Sequence, residues 1–386
     1  DHAFKQMSTN VPESNLNLAI VGNCTFSALI DRSATVVWSC MPRFDGDPVF
    51  CSLVRKNRDL GYWAIEMDKL DNARTEQNYM PNTAILVTKL FDYHGNGMEV
   101  IDFCPRYTSY NRVYRPNTLV RIVRPIQGTP RLRIKLSPTF GYGWGTPERT
   151  RGSNHIRYIL SNGAIRLTTS APISYIMNEI LFNLDETMYL VLMPDESLTD
   201  SAADYCNTTL EKTKRNWQEW VATLSVPIEY QQVVIRAAIT LKLSSYEETG
   251  AIVASMTTSI PRSPNFITPN DYRYCFVRDA GAVVRALNSV GITKTMEDYL
   301  RFISNAISGF DEDGKENWLQ PVYGIGSESR LHPKPISRLA GYRGFGPVVV
   351  GTKDYQRKQN DIYGTVILSL TQVFFDERLD VRLDQR

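Results

Sequence analysis

The spacing of the apolar residues changes near residue 200, and this change constrains the fold more than any other feature of the chain. Before it, short alternating runs are separated by Gly, Asn and Pro, as in SATVVWSC at 33–40 and HIRYILSNGAIRLTTS at 155–170. Alternation with a period of two predicts strands, and two Asn-Gly pairs, one of them at 162–163, predict hairpins. We therefore predict an antiparallel β-sandwich over residues 1–200.

Beyond this point the apolar residues recur at intervals of three and four, which predicts helices. Residues 201–226 are predicted to form a linker helix, and 229–250 a strong helix that stops at Gly250. Residues 309–358 are a long, loop-rich stretch, and long loops inside a helical domain tend to carry function. We predict a helical domain over 227–386. The remaining helices are predicted at 280–291, 293–309 and 359–379.

The composition excludes several classes of function. A net charge of +2 gives no electrostatic footprint for nucleic acid or a membrane surface, and the apolar runs are too short to span a bilayer. We expect a soluble protein, and the absence of an apolar leader favours the cytoplasm. The six Cys and four His form no metal-binding motif, so we expect no metal and mostly free, buried thiols.

The loops of the helical domain combine aromatic side chains with carboxylates and arginines. No G-x-S-x-G, H-E-x-x-H or P-loop motif is present. Aromatic rings can stack on the CH faces of a sugar while charged groups bind its hydroxyls, so this mixture suits a carbohydrate site. The alternative is that the aromatics belong to the core and that the charges lie at a solvated helix end. The candidates are Tyr272, Phe276, Arg278, Asp279, Trp318, Glu328, Tyr342, Arg343 and Phe345.

Five ordered stretches resemble glycoside hydrolase family 15, the group of glucoamylases, glucodextranases and trehalases. The first is NLAIVGNCTFSALIDRSATVVWSCMPRFDGDPVF, with its Gly-Asn turn and Pro-Arg-Phe-Asp. The others are YEETGAIVASMTTSIP, DYRYCFVRDA, LQPVYGIGSE and GYRGFGPVVVGTKDYQRKQNDIYG. One departure is Asn270, which stands where family members commonly have Trp, so substrate preference is left open.

The resemblance implies a supersandwich-type β domain followed by a six-fold α/α barrel that is only partly present. It implies that Arg278 and Asp279 bind the hydroxyls of a terminal glucose, and that Tyr272 and Phe276 line that subsite. It further implies that Phe345 lies in a loop that supplies an aromatic platform to the next subsite. No cofactor is implied.

In this family the general acid and base lie beyond the segment that corresponds to Gln359–Gly364, so we expect both beyond Arg386. We find only four or five helices, fewer than a closed barrel needs, so we expect a missing C-terminal segment, or a second chain, to complete it. The predicted function is inverting hydrolysis of an α-linked glucose disaccharide or oligosaccharide. The alternative is a non-catalytic descendant that binds sugar or acts in assembly.

Overall fold

The computed structural model describes residues 14–56, 59–68, 74–161, 163–263, 269–308 and 318–378. The chain forms a β half, from β1 to β17, and a helical half, from α2 to α6. The predicted change near residue 200 is therefore confirmed. No helix among the described residues is long and apolar enough to cross a membrane.

The β half contains two large antiparallel sheets, whose strands come from the alternating runs, and a separate pair of short strands, β9 and β10. The seven-stranded sheet has the order β1-β2-β3-β5-β12-β16, with β4 paired to β3. The eight-stranded sheet has the order β13-β14-β15-β17-β11-β8-β7-β6. The strands are β1 Leu18–Gly22, β2 Ser27–Asp31, β3 Val36–Met41, β4 Asp47–Phe50, β5 Tyr62–Met67, β6 Thr75–Tyr79, β7 Leu86–Phe91, β8 Gly97–Phe103, β9 Tyr107–Ser109, β10 Arg112–Tyr114, β11 Leu119–Gln127, β12 Arg131–Ser137, β13 Glu148–Arg151, β14 His155–Leu160, β15 Gly163–Thr169, β16 Phe182–Asn183 and β17 Met188–Pro194.

The two sheets enclose one apolar core, as in a β-sandwich. Val21 and Ile65 from one sheet share a buried cluster with Val100 and Leu190 from the other. The predicted hairpin at 162–163 is present, because β14 pairs with β15, although Asn162 itself lies outside the described residues. A short helix in this half, α1 Ile173–Met177, was not predicted.

The helical half begins with α2, which packs on the outer face of the eight-stranded sheet. Cys206 and Leu210 of α2 join Ile101 and Val120 in a second buried cluster. Strands covered on both faces read as continuous apolar runs, which explains sequences such as YLVLM in β17. The helices are α2 Ala202–Ala222, α3 Gln231–Leu243, α4 Val277–Ser289, α5 Lys294–Ser308 and α6 Asp361–Phe375.

The prediction of one helix over 229–250 was wrong at its C-terminal end. α3 stops at Leu243, and the following residues form a hairpin of β18 Ser245–Tyr246 and β19 Ala251–Ile252. Gly250 lies in the turn of this hairpin at φ +89°, so it marks a turn rather than a helix end. Tyr246 and Ile252 are buried there, and their apolar spacing fits a strand as well as a helix.

The long stretch 309–358 is loop-rich, as predicted, but its described part contains short paired strands. β21 Val322–Tyr323 pairs with β20 Cys275–Phe276, and β22 Lys334–Ile336 pairs with β23 Val348–Val350. Residues 309–317 lie outside the described part of the chain. The pairing of β20 with β21 ties this stretch to the start of α4, whereas β22 and β23 pair within the stretch.

The expectation of free, buried thiols is confirmed. All six Cys are unpaired and buried. Burial raises the pKa of the Cys40 thiol to about 12, although Arg273 beside it acts in the opposite direction. A thiol with a raised pKa is a poor nucleophile, so we assign these residues to packing.

Candidate carbohydrate site at the start of α4

The start of α4 is fixed by the short pairing of β20 with β21. Phe276 pairs with Val322 and is 8% exposed. Its ring lies 5.5 Å from that of Tyr272, and both belong to a cluster with Tyr274 and Tyr355, which we call the aromatic cluster. Phe276 is thus a buried packing residue, whereas the half-buried Tyr272 keeps a surface that a ligand can contact.

Arg278 and Asp279 lie in the first turn of α4 and are exposed. Arg278 Nη1 lies 3.3 Å from Asp361 Oδ2, at the start of α6. The two helices approach closely, since a Cβ at Gly281 of α4 would lie 2.5 Å from Thr365 Cγ2 of α6. Two helix N-termini and three charged side chains therefore meet at one end of the helical half, beside the aromatic cluster.

A buried ion pair that the sequence reasoning missed holds this segment in place. Arg273 and Asp271 are both fully buried, with Nη2 and Oδ2 2.8 Å apart. Arg273 also donates to Gly46 O at 2.8 Å, and Asp271 accepts from Gly351 N at 3.2 Å. The pair thereby links the start of α4 to the β half and to β23. The signal for it was the Asp-x-Arg spacing in an extended segment, which places both side chains on one face.

Glu328 is held by the β half. Its Oε1 lies 2.9 Å from Nη2 of Arg43, and Arg43 also forms a two-point contact with Asp45. Burial alone would raise the pKa of Glu328, but the hydrogen bond from Arg43 and the charge of Arg43 lower it. Glu328 therefore stays ionised at a lower pH than an ordinary glutamate does. Two of the five family-like stretches meet in this contact.

The remaining predicted residues are spread around the site. Trp318 is half-buried, with Lys358 Nζ 6.0 Å from the centre of its ring. Leu319 N, next to it, donates to the hydroxyl of Tyr363 on α6 at 3.0 Å, which ties Trp318 to the α6 side of the site. Arg343 is directed elsewhere, since its Nε donates to Ser14 O in the β half at 2.6 Å.

The 3₁₀ turn Tyr342–Gly344 carries the candidates Tyr342 and Arg343, and the candidate Phe345 follows it. Arg343 is exposed in this turn, and Phe345, which ends it, is half-buried. Gly341 N, just before the turn, donates to Val54 O at 3.0 Å. The turn therefore rests on the β half, and Arg343 is tied to that surface rather than to the start of α4.

A polar network lies next to the aromatic cluster. Tyr355 Oη lies 2.8 Å from His332 Nδ1 and accepts from Gln356 Nε2 at 2.9 Å. Asn270 Nδ2 donates to Asp354 Oδ2 at 2.8 Å. Asn270 therefore has a structural partner at the position where an aromatic was expected. Among the described residues, no group of three or more His, Cys, Asp or Glu side chains is arranged to hold a metal ion.

Comparison with known families gives one match for each half of the chain. Residues 229–384 match the model for glycosyl hydrolases family 15, and residues 11–179 match the model for the trehalase-like N-terminal domain. The second match covers the β half from β1 to β15, and the first covers the helical half from α3 onwards, in the order that the structure shows. The chain belongs to glycosyl hydrolases family 15.

The individual relatives are trehalases. The trehalase of Thermoplasma volcanium is 26% identical over 355 residues, which cover 91% of this chain and 55% of the relative. The trehalase of Mycolicibacterium smegmatis is 27% identical over 91% of this chain and 55% of its own length. That of Mycobacterium tuberculosis is 26% identical over 95% of this chain and 58% of its own length. The chain thus spans little more than half the length of these relatives.

Proposed function

We propose that the protein, at its natural length, hydrolyses an α-linked glucoside, with trehalose as the first substrate to test. The observation that carries this proposal is the meeting of Arg278, Asp279 and the half-buried ring of Tyr272 at the starts of α4 and α6. Charged groups of this kind bind sugar hydroxyls through strong hydrogen bonds, and an aromatic ring provides a stacking surface. The names of the relatives support trehalose as the substrate.

The same proposal assigns roles to the predicted residues. Arg278 and Asp279 bind the hydroxyls of a terminal glucose, and Tyr272 lines that subsite with Phe276 packed behind it. Trp318 borders the subsite on the α6 side. Glu328 is assigned to a loop that shapes the site where the helical half contacts the β half, and Arg343 to the turn that rests on the β half. Phe345, after that turn, is assigned to an aromatic platform for the next sugar.

We assign neither Glu328 nor Asp361 as general acid or base. A general acid needs a raised pKa, whereas the pKa of Glu328 is lowered and Asp361 is ion-paired with Arg278. Inverting hydrolysis requires two carboxyl groups on opposite sides of the scissile bond. We propose that these groups lie outside residues 1–386, in a segment that completes a six-fold α/α barrel. The proposed domain divisions are residues 1–200 for the β-sandwich, 201–226 for the linker helix and 227–386 for the helical domain.

The direct test is to incubate the full-length protein with trehalose, maltose and maltotriose and to follow the anomers of glucose by proton NMR. We expect trehalose to be consumed and β-glucose and α-glucose to appear first in equal amounts, because inversion at the attacked carbon gives the β-anomer while the leaving glucose keeps its α-configuration. First appearance of α-glucose alone would refute inversion. Saturable binding of trehalose without hydrolysis would instead favour the non-catalytic, sugar-binding alternative.

A variant tests the role of Asp279. Asp279→Ala in the full-length protein is expected to lower kcat/KM by about 10²-fold or more, as for the loss of one charged contact that is strongest in the transition state. Glu219→Ala, an exposed carboxylate on α2, is the matched control and should retain activity. Because Asp279 is exposed, the thermal midpoint should change little. Unchanged turnover in Asp279→Ala would contradict the assignment.

A further inference from the structure

A cavity of about 670 Å³ lies between the β half and the helical half, away from the candidate carbohydrate site. Its walls include β10, the end of α2, the segment that joins α4 to α5 and the start of α5. The carbohydrate site is at the start of α4, whereas this cavity lies just beyond its end. The 13 residues of α4 span about 20 Å, so the two places are well separated.

The lining of the cavity is strongly positive. Six cations line it, namely Arg106, Arg112, Arg115, Lys242, Lys294 and Arg301, and two carboxylates, Glu247 and Asp298, line it with them. The surplus is four positive charges, in a chain whose whole net charge is +2. The positive charge is therefore concentrated at this place rather than spread over the surface.

The inner wall is a buried cluster in which one carboxylate forms ion pairs with three cations. Glu247 lies 2.8 Å from Arg106, 3.3 Å from Arg115 and 2.5 Å from Lys242. Lys242 is 4% exposed and Arg106 8% exposed. Burying a charge is costly unless it is paired, so a cluster with more cations than carboxylates favours the entry of an anion.

The outer wall is closer to balance, because its two cations meet two carboxylates, one of which, Glu297, lies outside the lining of the cavity. On α5, Lys294 and Arg301 share Asp298, at 2.8 and 3.5 Å, and Lys294 also lies 4.0 Å from Glu297. The positive N-terminal end of α5 and the negative C-terminal end of α2 both border the cavity. The negative C-terminal ends of α3 and α4 lie beside the cavity too. Each helix end carries only roughly half a charge, so the surplus of side-chain cations decides the sign of the field.

We propose that this cavity binds a phosphate group, either as inorganic phosphate or as a phosphate ester of a small sugar. Guanidinium groups donate two parallel hydrogen bonds to phosphate oxygens, and three of the six cations are arginines within the same wall. The volume falls in the range of roughly 300–1,000 Å³ that is usual for small-molecule sites, so an esterified ligand also has room. Since Arg106 and Arg115 belong to the β half and Lys242 and Lys294 to the helical half, a bound phosphate bridges the two.

The test uses isothermal titration of the full-length protein with inorganic phosphate at constant ionic strength and without any glycoside. The double variant Arg112→Gln/Arg115→Gln removes two cations of the β half. We expect one saturable site per chain in the unaltered protein and at least tenfold weaker binding in this variant. The matched control is Arg149→Gln/Arg151→Gln on the exposed strand β13, which should bind as the unaltered protein does.

Because Arg115 contacts Glu247, its replacement could disturb the fold, so a second variant acts on the opposite wall. Lys294→Gln/Arg301→Gln changes side chains that are 64% and 63% exposed, and it should also weaken binding at least tenfold. Absence of saturable binding, or equal affinity in all four proteins, overturns the proposal. Tighter binding of glucose 6-phosphate than of phosphate supports an ester as the ligand, and equal binding supports free phosphate. Failure here is distinct from failure of the proposed hydrolysis, since no turnover is measured.

Discussion

Glu247 shows how a single carboxylate can organise the junction between the two halves. Burial alone would raise its pKa, but Lys242 and Arg106 lower the pKa from 4.5 to about 2. Both the β half and the helical half supply its partners, so its ionised form stabilises their contact.

This depressed pKa makes stability depend on pH. Above pH 4.5 the carboxylate contributes its full stabilisation, and the contribution is lost as the pH falls from 4.5 towards 2. A depression of this size corresponds to about 3 kcal/mol in the free energy of unfolding. We expect Glu247→Gln to be less stable than the unaltered protein at pH 7, by urea unfolding, and the gap to narrow between pH 4.5 and 2. A gap that is independent of pH would contradict this account.

The buried pair of Asp271 and Arg273 acts at the same scale, beneath the candidate site. Asp271→Asn leaves the guanidinium of Arg273 buried without its counter-charge, and we expect this to cost about 3–5 kcal/mol of stability. Glu219→Gln, which breaks the exposed pair with Arg215, is the control and should cost no more than about 1 kcal/mol. If Asp271→Asn and Glu219→Gln lowered the free energy of unfolding equally in chemical denaturation, burial would not determine the loss of stability.

At the scale of elements, short strands and turns determine the position of the candidate site more than the helices do. The two-residue pairing of β20 with β21 brings the start of α4 against the segment around Val322. The β18–β19 hairpin brings Gly250 against α5, where a Cβ would lie 2.0 Å from Asp298 O. These elements are too short for a periodicity to reveal, so the predicted helix extended to Gly250 although α3 ends at Leu243.

Gly250→Ala tests this packing. Gly250 has φ +89°, a region that costs other residues about 1–2 kcal/mol, and the contact with Asp298 adds to that cost. Gly344→Ala is a matched control, because Gly344 has φ +79° but open space around it. We expect Gly250→Ala to lower the free energy of unfolding clearly more than Gly344→Ala does. Similar losses in urea unfolding would show that the backbone angle alone matters.

On the scale of the whole molecule, the helical half presents apolar surface to solvent. On α6, Ile362 and Val366 face the core, while Ile367 is 61% and Leu368 57% exposed. Phe375, at the end of the helix, is 80% exposed. Contiguous apolar surface of this kind marks an interaction face.

We therefore expect the 386-residue chain, expressed alone, to bind the dye ANS and to associate as its concentration rises. Ile367→Lys/Leu368→Lys should reduce ANS fluorescence without changing the far-UV circular dichroism, since both side chains are exposed. Val113→Lys on β10, which is 43% exposed on the β half, is the control and should leave the fluorescence nearly unchanged. A monomeric chain that binds no ANS would contradict the prediction.

By itself, the sequence determined the strands, the hairpin at 162–163, the order of β half and helical half, and the membership of the family. These depend on local periodicity and on short ordered motifs, which a chain carries whatever its partners are. The tertiary structure alone decided that Arg278 meets Asp361, that Arg43 holds Glu328 and that Glu247 gathers cations from both halves. Arg278–Asp361, Arg43–Glu328 and Arg106–Glu247 each join residues more than 80 positions apart, and such pairing depends on how the elements pack, which no local pattern encodes.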